Sequence, residues 1–114
     1  MANTSEGSLM KKHTINIARD FSRYPGGRYI TDGDHSGERF REEFLYPYIN
    51  KGFLVVIEMD GTLGYGSSFL EEAFGGYVRE HGLASNQLIK QINIVSDDPS
   101  LKLEVEEYIV DAEQ

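Results

Sequence analysis

The stretch DGTLGYGSSFLEEAFGG, residues 60–76, holds the residues of this chain best placed to do chemistry. Asp60, Gly61, Gly64, Tyr65 and Gly66 lead into a serine pair, Ser67 and Ser68, and an amphipathic run follows at once. Three readings fit: a phosphate cradle, a serine that accepts a phosphate, or a tight corner between a strand and a helix. The glycine spacing is not that of the dinucleotide fingerprint, and no Gly-Lys-Ser/Thr follows as a phosphate-binding loop requires. Nor is it the G-x-S-x-G elbow of serine hydrolases. Ser68-Phe69-Leu70-Glu71 has the spacing of a capping box, which predicts a helix starting at Ser68 with Ser67 one residue outside. A helix start offers free N–H groups and a partial positive charge, so a phosphate on either serine would be tolerated there and felt by any partner.

Other candidate residues are more scattered. Asp32-Gly33-Asp34-His35-Ser36-Gly37 leads into a second loop-to-helix junction, where Ser36 or Asp34 is the natural N-cap. Arg39 and Arg41 follow, and an arginine fork there suits an acidic or phosphorylated partner. Glu58 and Asp60 stand at the end of an apolar strand, the edge where α/β sheets place ligands, and two carboxylates beside a phosphate site could hold Mg²⁺. The bland alternative is that they simply end the strand, and no metal is expected. His13, His35 and His81 show no metal-ligand spacing. No nucleophile–base or acid–base pair is visible, so no catalytic residue, enzymatic activity or cofactor is expected.

The elements that must position these residues follow from periodicity. Residues 13–18, HTINIA, alternate as a half-buried strand. Pro25-Gly26-Gly27 is turn chemistry, which predicts a hairpin partner at residues 28–30. From Ser36, Phe40, Phe44, Leu45, Tyr48 and Ile49 fall at helical spacing, with Pro47 expected to end or kink the helix near Tyr46. FLVVIE, residues 53–58, reads as a strand buried at the centre of a sheet. Residues 68–82 form the clearest helix. Gly75-Gly76 lies within it at a cost of ~1 kcal/mol per glycine relative to alanine, an exchange expected to allow close packing. INIVS, residues 92–96, reads as a further strand, and Asp98-Pro99 opens a last helix bearing Leu101, Val105, Tyr108, Ile109 and Ala112. The order β-β-α-β-α-β-α predicts an α/β fold: a small mixed sheet of about four strands with about three helices. Residues 1–12 are expected to be a flexible lead-in and residues 13–114 one domain.

Composition sets limits on the function. The 114 residues contain no cysteine, which excludes disulfides, a cysteine nucleophile and thiolate metal ligation. Net charge is −8, a poor basis for binding a phosphate backbone, so no nucleic acid is expected. Seven basic residues against four acids between residues 11 and 41 keep a local anionic partner open, while residues 97–114 carry seven acids against Lys102 alone. The longest apolar run is the five residues FLVVI, far short of a membrane span. The lysines of MANTSEGSLMKK follow its apolar residues, unlike a signal peptide, and a cytoplasmic address is expected.

PGGRY (25–29), DGDHSGERFREEFLYP (32–47) and GYGSSFLEEAFGGYVR (64–79) together resemble the bacterial STAS-like domain family of unknown function. That family is similar to the STAS domains of sulphate transporters and anti-sigma-factor antagonists. The resemblance implies a small mixed sheet with helices mostly on one side. In the antagonists an Asp-Ser-Ser-Gly-type helix start carries a serine phosphorylated by a kinase of the histidine-kinase ATPase superfamily. Tyr65-Gly66-Ser67-Ser68 falls at the corresponding position, with Gly66 where the antagonists have Asp. The resemblance thus implies a non-enzymatic regulatory module with a protein partner, such as a histidine-kinase-like ATPase, that meets Ser67 or Ser68. Two other functions fit the residues: a small-ligand or nucleotide site at the glycine-rich corner, and an acidic protein that blocks a basic target surface.

Overall fold

The computed structural model describes residues 10–113. Three strands, β1 (Lys12–Asn16), β2 (Leu54–Glu58) and β3 (Ile92–Val95), form a parallel sheet in the order β1-β2-β3. The register places Ile15, Ile57 and Ile94 side by side across it. That row is buried, and on the opposite face the row Thr14, Val56 and Asn93 is only half-buried to exposed. The expected lead-in over residues 1–12 lies, up to residue 9, outside the described residues, and Lys12 already belongs to β1.

Each parallel step needs a long crossover, and helices supply it. Between β1 and β2 runs α1, built of three consecutive segments, Gly37–Phe40, Arg41–Leu45 and Tyr46–Ile49. Ser36 caps it, its Oγ accepting the Arg39 amide at 3.1 Å. The middle segment is a π-turn, in which the Tyr46 amide donates to the Arg41 carbonyl. Pro47 has no N–H to donate back and its ring would crowd a regular turn, so the wide turn before it lets the helix run on to Ile49. The interruption expected near Tyr46 is therefore a widening of the helix and not its end.

Between β2 and β3 lie α2 and α3. The first consists of Ser67–Leu70, Glu71–Gly75 and Gly76–His81, again with a π-turn in the middle, and the second is Ser85–Gln91. The last helix, α4 (Pro99–Asp111), starts as the sequence predicts, with the Asp98 carboxylate accepting the Ser100 amide. Phe40, Leu45, Phe69, Leu70, Phe74, Leu88, Val105 and Ile109 join the isoleucine row in one buried core. Phe21 meets Phe40 and Phe44 edge-on, at 5.2 Å in both cases, which suits the opposed charge of ring edge and face.

Two expectations fail here. The hairpin strand at residues 28–30 does not form, which leaves three strands among the described residues where about four were expected and makes the sheet parallel where a mixed one was expected. After β1 the Asn16 side chain accepts the Arg19 amide and the chain coils through Ile17–Phe21, so no extended partner lies alongside. The Asp32 carboxylate takes the Arg28 and Tyr29 amides, and Gly27 and Arg28 offer their carbonyls to the Gly37 and Glu38 amides at the start of α1. The Pro-Gly-Gly turn thus serves a helix start and not a hairpin. The second failure is α3, which was not expected. Its leading residue is held by a carboxylate far along the chain: Glu113 takes both the Ser85 hydroxyl, at 2.6 Å, and the Ser85 amide.

The contact between α1 and α2 is close enough to reach backbone. A Cβ on Gly37 would run into the Phe69 carbonyl, with the Ala73 amide 3.1 Å away on the same helix. Gly37→Ala is expected to lower unfolding free energy by about 1–3 kcal/mol, as overpacking of a tight core does, read as a reduced urea midpoint at unchanged slope.

Candidate functional site

The corner between β2 and α2 sits at the C-terminal end of the sheet, where ligands and partners of α/β folds commonly approach. Asp60 ties two strand ends together: Oδ1 accepts the Ser96 hydroxyl at 2.8 Å and Oδ2 the Asp97 amide at 2.9 Å. Gly61 and Gly64 turn the loop at φ +101° and +127°, conformations that side chains disfavour. The loop closes on itself where the Tyr65 hydroxyl donates to the Met59 carbonyl at 2.6 Å, and burial pushes that phenol above its ordinary pKa. The Leu63 amide bonds to the Arg23 carbonyl, which brings Leu63 (76% exposed) beside Tyr24 (64% exposed).

Ser67 and Ser68 emerge from this braced loop as the first two residues of α2, and both are exposed. Gly66 holds the N-cap position, so no side chain caps the helix. The capping box expected from Ser68 and Glu71 is absent. Glu71 instead takes Arg28 Nη1 at 2.6 Å and both terminal nitrogens of Arg79. Two guanidinium groups attract a half-buried carboxylate more strongly than a neutral backbone amide does.

Beneath the corner, Glu71 belongs to a chain of alternating charges. Arg41 is only 4% exposed, and its Nη1 donates to Glu72 Oε2 at 2.7 Å and to the Glu72 carbonyl at 2.9 Å. Its Nε donates to Glu42, which also meets His81 Nε2 at 2.9 Å. The other Glu72 oxygen faces Arg28 and Arg79 at 3.2 and 3.4 Å. Burial opposes charge on Glu42, yet the hydrogen bonds from Arg41 and His81 hold its carboxyl below the ordinary value. The hydrogen bond from Arg79 does the same for Glu71, joined by that from Arg28. Space for Arg41 comes from Gly76, whose missing Cβ would lie against its guanidinium, and a Cβ on Gly75 would lie only 3.0 Å from the Tyr108 carbonyl of α4. The close packing expected of the glycine pair is present, and one of its partners is a charge.

The sequence placed Ser36, Arg39 and Arg41 together as possible partner contacts. Ser36 is fully buried as the cap of α1, and Arg41 is enclosed with Glu72, so a partner cannot reach either in this conformation. Arg39 is accessible and bonds Glu43 and the Asp34 carbonyl. The sequence missed Arg28, Glu72 and Arg79 of the network, and the contact of Leu63 with Arg23 in the loop that leads to the serines. The Glu-Glu pair followed by Gly-Gly was the available signal for a buried cation. Glu58 accepts the Asn16 side-chain amide, and among the described residues no three His, Cys, Asp or Glu side chains converge to hold a metal ion. His13 stacks on Tyr48 and His81 on Tyr46.

Residues 36–102, from the cap of α1 into the first turn of α4, match the family model of a STAS-like domain of unknown function. The chain belongs to that family. No curated protein and no solved structure matches it. The matched span of this STAS-like domain contains β2, the serine corner and both partners of the Arg41–Glu72 pair. Among the described residues, no helix is long and apolar enough to cross a membrane.

The depressed carboxyl groups give a signed pH dependence. Glu71 ionises more readily folded than unfolded, so its contribution is complete above the unfolded value of 4.5 and is lost as pH falls through the lower folded value. Stability is expected to drop on acidification below about pH 4.5, and Glu71→Gln should flatten that limb, as read from urea midpoints across pH.

Proposed function

We propose that this STAS-like domain is a non-enzymatic regulatory module that docks on another protein through the Met59–Ser68 corner, with Ser67 or Ser68 as the point of contact or phosphorylation. The observation that carries the reading is the exposed, side-chain-uncapped serine pair at the start of α2, on a loop braced by Asp60 and Tyr65. Leu63 and Tyr24 beside it give a partner apolar surface to bury. A phosphate would bring a charge of about −1.5 to −2 to that surface. Ser67 lies four residues before Glu71, and Ser68 four before Glu72, so the new charge stands one turn from two carboxylates already engaged by Arg28 and Arg79. The domain can carry the phosphate at a favourable helix end, while an acidic or apolar partner surface is repelled. The partner class we propose is a histidine-kinase-like ATPase in the cytoplasm, a reading supported by the resemblance of the serine corner to the antagonist STAS domains.

A nucleotide or small ligand at the corner has less support. Grooves of about 300 and 440 Å³ lie beside His81 and His13, away from the serines, and both Asp60 oxygens are already committed.

Incubation with a candidate histidine-kinase-like ATPase and ATP, followed by peptide mass spectrometry, is expected to place one phosphate on Ser67 or Ser68. The Ser67→Ala/Ser68→Ala double variant should take none, and Leu63→Ser should weaken docking at unchanged melting temperature. Absence of modification together with unaltered partner binding by both variants would contradict the reading.

A further inference from the structure

Helix α4 carries two apolar stripes, and only one is used by the core. Val105 and Ile109 are buried, with Leu101, Tyr108 and Ala112 half-buried beside them. On another side, Leu103 (66% exposed) and Val110 (47% exposed) stand seven residues apart, with Glu106, Glu107 and Asp111 between and beside them. These five residues and Ile89 of α3 line an open groove of about 420 Å³. Lys90 and Lys102, the cations nearest in sequence, do not line it.

We propose that this groove receives an amphipathic helix of a partner protein, with an apolar seam flanked by lysine or arginine. A seven-residue spacing places Leu103 and Val110 two turns apart, about 10.5 Å along the axis, which is the repeat of a helix-on-helix seam. An amphipathic helix laid in such a groove anchors through residues at that same repeat. The three carboxylates select the flanking charge, since a basic edge meets all of them and an acidic edge is repelled. They also select against a second copy of this chain: pairing the groove with itself would set Glu106, Glu107 and Asp111 against their own counterparts. The surface is formed by α3 and α4 and shares no residue with the serine corner, so it stands independently of the proposed switch.

The test uses the whole chain and a labelled 18-residue probe helix with leucines at its a and d positions and lysines at e and g. A twin with glutamates in place of the lysines serves as control. The lysine probe is expected to bind at least about ten-fold more tightly than the twin and to weaken as salt is raised. Its NMR shift changes should centre on Ile89, Leu103, Glu106, Val110 and Asp111. Leu103→Ser and Val110→Ser should each weaken binding about ten-fold, the scale of one lost aliphatic anchor. Both residues are exposed, so melting temperatures should not move, and Ser67→Ala/Ser68→Ala should bind the probe as the parent does. Equal binding of the two probes, or shifts centred elsewhere, would overturn the proposal. So would concentration-dependent dimerisation that Leu103→Ser abolishes, because the occupant would then be a second copy.

Discussion

The Arg41–Glu72 pair is the contact on which the rest of this domain depends. It places a guanidinium and a carboxylate, both almost wholly buried, 2.7 Å apart between the two helices that frame the site. Taking either charge from water alone would cost several kcal/mol, so each requires the other at a fixed place. Such a pair adds little net stability compared with well-packed hydrocarbon, but removing one partner is expensive. Its consequence is geometric. The charge can enter only where a helix lacks side chains, which accounts for Gly76 within α2 despite the cost of glycine there. Both helices also widen into π-turns at this level: Arg41 opens the one in α1, and Glu72 lies within the one in α2.

From that pair the network reaches the surface in two directions. Through Glu42 it ends at His81, which stacks on Tyr46. Through Glu72 it reaches Arg28 and Arg79, and from them Glu71, one helical turn below the exposed serines. The loop bearing Arg28 is held to the start of α1 by backbone bonds at Gly26, Gly37 and Glu38. The serine corner is thus fixed from below by charge and from the strand ends by Asp60 and Tyr65. Rigid placement of exposed hydroxyls is what a docking partner or a modifying enzyme needs, since neither then has to order the loop on binding.

Much of this was readable from residue order, wherever the signal was local. The strands over 13–18, 53–58 and 92–96, the Ser36 and Asp98 caps and the long amphipathic helices rest on neighbours in sequence, and the structure has them within a residue or two at most ends. What escaped was decided at a distance. The Asp32 carboxylate and the start of α1 capture the Pro-Gly-Gly turn, so the hairpin gives way to tertiary bonding. Helix α3 has few apolar residues, and its long-range ties, Ser85 to Glu113 and Gln91 to the Ile49 and Phe53 carbonyls, are not visible in the local sequence. Ser68 and Glu71 have the spacing of a capping box, yet arginines at positions 28 and 79 claim the carboxylate. Arg41 resembled a surface cation because Glu72, the buried carboxylate that encloses it, lies 31 residues away.

A double-mutant cycle on Arg41→Met and Glu72→Met tests the central claim most directly, with unfolding free energies measured in urea at neutral pH. If the buried pair organises the two helices, each single variant is strongly destabilised, and the double variant is more stable than the sum of the singles predicts, by at least about 1 kcal/mol. Additivity within about 0.5 kcal/mol would mean the two charges act independently, and would contradict the account.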